Sequence, residues 1–68
     1  MLNTMLFKSF CLSVYMDAHN LTGKEAIRIF KEYKVFDYIE TVKDVLHSTG
    51  EAYIVGDIDE YIAARKAV

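Results

Sequence analysis

Apolar residues recur along this chain at helical spacing, in blocks separated by polar punctuation. With residues placed about 100° apart, Phe7, Phe10, Cys11, Val14 and Ala18 gather on one face of a first helix predicted over 3–19. Ala26, Ile27, Ile29, Phe30 and Tyr33 cover the inner side of a second, over 23–33. Tyr38, Ile39, Val42, Val45 and Leu46 do so for a third, over 37–48, and Ile58, Tyr61 and Ile62 for a fourth, over 57–66. Three of these blocks open alike: Thr22 precedes Glu25 by three positions, Asp37 precedes Glu40 and Asp57 precedes Glu60. In such a capping box the first side chain accepts from the N3 amide, and the glutamate accepts from the cap amide. Asn20 and Gly50 read as helix stops, with Gly50 supplying a left-handed residue.

Between Gly50 and Asp57, Ala52 to Val55 is the one strand-like stretch, too short and solitary for a sheet. It reads as an extended connector whose Tyr53 and Val55, or Ala52 and Ile54, plug the core. The expectation is an all-α fold: a single domain over 1–68, with four short helices and one extended connector before the last. Its expected core is Phe10, Val14, Ile27, Phe30, Ile39, Val42, Leu46, Ile58 and Ile62.

Two surface patterns stand apart. Met5, Leu12 and Met16 form a second apolar stripe on the first helix, whereas a surface helix of a monomer usually needs one. The stripe either packs on the last helix or forms a partner-binding face. Lys24, Arg28 and Lys31 recur at i, i+4 and i+7 as a basic strip, which reads as a solvated face or as a nucleic-acid contact.

Composition sharpens the first of these patterns. The chain is 68 residues long, 53% hydrophobic and 13% aromatic, with no proline. A chain this short buries only about 60% of its unfolded surface, so nine aromatic rings compete for little interior and some are expected at an interface. Net charge is −2, against a protein that mainly grips phosphates. Five Lys/Arg and three Asp/Glu in residues 1–34 give +2, while three and seven in 35–68 give −4. The lone Cys11 points to a reducing compartment. The start of the chain lacks a signal-peptide pattern, and no apolar run approaches the roughly 20 residues of a membrane span. The expected location is cytoplasmic.

Chemistry is sparse. Cys11 has no histidine at a motif-like spacing and sits on the core face, as an inert thiol does. His47, with Asp44 one turn before it and Asp57, Asp59 and Glu60 further on, has no second histidine at i+3 or i+4, so helix capping is preferred to metal binding. His19 likewise ends a helix. No phosphate loop or catalytic pair is present; no catalytic residue, cofactor or metal is expected.

The segments Thr22-Gly23-Lys24-Glu25, Phe36-Asp37-Tyr38-Ile39, Asp44-Val45-Leu46-His47, Tyr53-Ile54-Val55 and Asp57-Ile58-Asp59-Glu60-Tyr61-Ile62, with Phe30, Tyr33 and Gly50, resemble the short bacterial proteins of the domain-of-unknown-function family 3791. That family has no assigned activity. The resemblance implies an accessory protein encoded beside an ADP-ribosyltransferase-like domain, in the manner of an antitoxin or immunity partner. It brings no functional residues. The expected function is a non-enzymatic protein–protein interaction module, with Met5, Leu12 and Met16, or Asp57, Asp59 and Glu60, as contact residues and the neighbouring gene product as partner. The alternatives are a helix-turn-helix-like DNA binder using Lys24, Arg28 and Lys31, and a homodimeric module.

Overall fold

A computed structural model describes residues 4–67, which form four helices and, among the described residues, no strand. They are α1 (Thr4–His19), α2 (Gly23–Glu32), α3 (Val35–Leu46) and α4 (Glu51–Lys66). The all-α expectation holds; a helix start at Asn3 lies outside the described residues.

α1 ends as Asn20 predicts. Asn20 adopts φ 53°, and the Leu21 amide donates back to the Met16 carbonyl at 3.0 Å. This is the left-handed cap with a six-to-one bond that satisfies a terminal carbonyl. α2 opens on the expected capping box: Glu25 N–H donates to Thr22 Oγ1 at 3.2 Å, and Thr22 N–H to Glu25 Oε1 at 2.9 Å. The Thr22 amide foremost, and then the Thr22 hydroxyl donating to Oε1 at 3.0 Å, hold the Glu25 carboxyl below its ordinary range.

The other two boxes are not caps. α3 begins at Val35, because Lys34 takes a left-handed turn at φ 56° and returns the chain at once, placing Asp37 in the first helical turn. There its charge favours the positive end of the helix. Asp57 lies in the middle of α4. Ala52 to Val55 is helical rather than an extended connector, and Gly50 is not left-handed: at φ −80° and ψ 168° it is the N-cap of α4. The reason is burial. Read as helix, Ile54, Ile58 and Ile62 form one i, i+4, i+8 stripe, and all three are buried. Tertiary packing of such a stripe overrides weak β-propensity.

α1 packs against all three other helices, and the core joins Phe7, Cys11, Tyr15, Phe30, Val35, Ile39, Leu46 and the α4 isoleucines. Phe30, Ile39, Leu46, Ile58 and Ile62 are core as expected. Phe10 and Ile27 are instead 43% and 39% exposed, Val14 and Val42 half-buried, and Ala18 exposed. The Tyr15 ring packs 5.3 Å from Phe30 and 4.4 Å from His19. It brings the Phe7–Cys11–Tyr15 line inward and turns α1 by about 40° from the predicted stripe. No helix among the described residues is long and apolar enough to cross a membrane.

Gly56 stands inside α4, and an added Cβ there would meet nothing within 4 Å. Gly56→Ala is expected to stabilise the fold by about 0.5–1 kcal/mol, because glycine costs that much in a helix interior. A shift of the urea midpoint at unchanged slope checks it.

Candidate functional site

The predicted contact residues fall on separate surfaces. Met5 and Leu12 border one cleft of about 300 Å³ between α1 and α3, completed by Lys8, Ser9 and Phe36. Met5 is 69% exposed, whereas Leu12 is half-buried and packs against the core. Met16, at the other end of α1, approaches Gly23 to 3.7 Å from where a β-carbon would stand. The stripe thus borders α3 at the Met5 end and α2 at the Met16 end, with Leu12 packed on the shared core. Beside it, Leu6 is 65% exposed, and Phe10 stacks on the buried Phe7 with ring centroids 6.4 Å apart.

The acidic residues of α4 serve the fold first. Asp57 accepts a 2.8 Å hydrogen bond from the Tyr38 hydroxyl. Burial, followed by this bond and charge, pushes the Tyr38 phenol up to about 12. Asp59 lies 2.9 Å from His19 Nε2, clasping the end of α1. Burial first, and Asp59 second, raise the Tyr15 phenol. Glu60 is exposed and shares a small cleft with Tyr53, Gly56 and Asp57. Asp57 and Glu60 are thus brought together, and Asp59 is turned away from them.

Aromatic packing ties the far side. Tyr38 and Tyr61 stack at 4.1 Å, and the Arg65 guanidinium lies 4.9 Å from the Tyr61 centroid. The Tyr61 hydroxyl donates to the Tyr33 carbonyl at 2.8 Å, satisfying the end of α2. His47 packs on Phe7 at 5.0 Å. Among the described residues no three histidine, cysteine or carboxylate side chains assemble to hold a metal ion. The His19–Asp59 clasp, with Tyr15 packed on the His19 ring, was missed in the sequence. Only the i, i+4 spacing of Cys11, Tyr15 and His19 hints at it, and Asp59 lies 40 residues from His19.

Cys11 is fully buried, and burial alone pushes its thiol from 9.0 to about 11. The folded state therefore holds this proton more tightly than the unfolded chain. The linkage has no effect below about pH 9 and withdraws stability as pH rises from 9 towards 11. At neutral pH the thiol is expected to resist a disulfide reagent until denaturant is added. Rapid labelling of native protein would contradict this burial.

A family model described as a protein of unknown function (DUF3791) matches residues 6–65. No curated protein and no solved structure matches the chain.

Proposed function

The chain belongs to the DUF3791 family, and we propose that this member is a non-enzymatic helical module that binds another protein through the apolar outer side of α1. The observation that carries this reading is the exposure of Met5, Leu6 and Phe10 at 69%, 65% and 43%. They stand on the helix that also gives Phe7, Cys11 and Tyr15 to the core. Large apolar side chains this exposed on so small a domain suit an interface. The cleft bordered by Met5, Leu12 and Phe36 accommodates an apolar side chain of the partner, with Lys8 at its edge.

Of the two contact surfaces considered, the apolar one is favoured, because Asp57 and Asp59 are already engaged with Tyr38 and His19. The family resemblance supports an ADP-ribosyltransferase-like neighbour as the partner, with this chain as its antitoxin or immunity protein. A DNA-binding role is less well supported. Lys24, Arg28 and Lys31 neutralise only about three phosphates, on a chain of net charge −2.

The test is co-purification with the neighbouring gene product. Met5→Asp combined with Leu6→Asp changes exposed positions, whereas Leu12→Asp would disturb the core. The double variant is expected to keep its circular dichroism spectrum and lose binding at least tenfold; wild-type binding is expected to survive high salt. Undiminished binding by the folded variant would refute the α1 assignment.

A further inference from the structure

α1 packs against α4, and His19 meets Asp59 at the C-terminal end of α1. Between them lies a groove of about 470 Å³, distinct from the α1/α3 cleft. Val14, Ala18, Ala52 and Val55 line it, together with Asp17 and Glu51. Both carboxylates are exposed, and neither is in a salt bridge among the described residues. Phe10, one turn before Val14, continues the apolar line along α1.

The chain carries a matching ridge elsewhere. On α2, Ile27 is 39% exposed, with Lys24 three positions before it and Lys31 four after. Residues so spaced stand above one another on one side of a helix. Both lysines are exposed, and neither is in a salt bridge among the described residues. The ridge thus combines an apolar centre with positive charge, and the groove combines an apolar lining with negative charge. The small Ala18 and Ala52 let a second helix approach closely.

We propose that the groove between α1 and α4 receives the Lys24–Ile27–Lys31 ridge of a second copy of this chain. Charge complementarity favours this occupant, and both halves of the contact are present in one sequence. α2 packs on α1 and α3 and is joined to α4 at its Tyr33 end, away from the groove lining, so ridge and groove are different surfaces. A single such contact leaves one ridge and one groove free, so a head-to-tail assembly lengthens with concentration. The patch is small and its charges are solvated, so association is weak and sensitive to salt.

Sedimentation equilibrium of the whole chain tests this. In low salt, the weight-average mass is expected to rise above the monomer towards millimolar concentration and to return to the monomer in high salt. Lys24→Glu with Lys31→Glu should abolish association, as should Asp17→Lys with Glu51→Lys. Circular dichroism must show both variants folded. An equimolar mixture of the two variants pairs each altered surface with its new complement and should restore association. A wild-type chain that stays monomeric, or variants that associate like wild type, would overturn the proposal. So would a mixture that fails to restore what each variant lost. Binding of the neighbouring gene product is read separately and does not enter this outcome.

Discussion

Phe30→Ala is expected to cost about 3–5 kcal/mol, the usual penalty for emptying a buried aromatic site. Phe30 has no exposed surface, and it contacts Tyr15 at 5.3 Å and Phe36 at 5.2 Å. It therefore joins α2 to both α1 and α3, and its loss leaves a cavity bordered by three helices. Total stability of a small domain is only about 5–15 kcal/mol, and this one sits at the small end of the size range. The variant is expected to be largely unfolded at body temperature, or to melt far below wild type in a cooperative thermal scan. A stable variant with an unchanged transition would mean that the hole collapses, contrary to the packing described here.

Ile54→Pro is expected to be at least as damaging, whereas Glu51→Pro should be tolerated. The Ile54 amide donates to the Gly50 carbonyl at 3.1 Å, and its side chain is 1% exposed. Proline there removes the bond and clashes with that carbonyl, at about 3 kcal/mol, and the lost apolar packing adds roughly 2–5 kcal/mol. Glu51 is the first residue of α4, where no amide bond is lost, and Gly50 before it already has the extended backbone that proline demands. Chemical denaturation of the two variants checks the contrast. An extended segment over 52–55 would show no such position dependence, so equal tolerance would count against a helix beginning at Glu51.

That contrast also marks what was legible in the sequence. Helix class, the Thr22 box and the Asn20 stop follow from local chemistry, because every partner lies within five positions. The Asp37 and Asp57 boxes have the same spacing, yet each aspartate ended up inside a helix. A cap signal competes with burial. Val35 and Ile54 are each almost wholly buried, and extending the helices to include them outweighs a cap bond of about 1 kcal/mol. The rotation of α1 was illegible for a related reason. Apolar residues occupy most of its circumference, so periodicity alone does not choose between Phe10 and Tyr15 as the inward side.

The candidate surface was partly legible. Met5 and Leu12 do meet at one cleft, because their spacing on α1 is local. Leu6 was overlooked, since an isolated exposed leucine is ordinary in a sequence and becomes notable only beside Phe10 and Met5. The duties of Asp57 and Asp59 depend on Tyr38 and His19, which only the folded chain brings near.

The meeting of α1 with every other helix has a consequence for synthesis. α1 is made before α4, yet Ile54, Ile58 and Ile62 complete the shared core only once the last helix exists. At roughly 5–20 residues per second, α1 spends on the order of seconds without its cover. During that interval its inward and outward apolar sides are open to whatever the ribosome is making nearby. A nascent chain made close by would meet the most adhesive part of this chain before the chain has closed on itself.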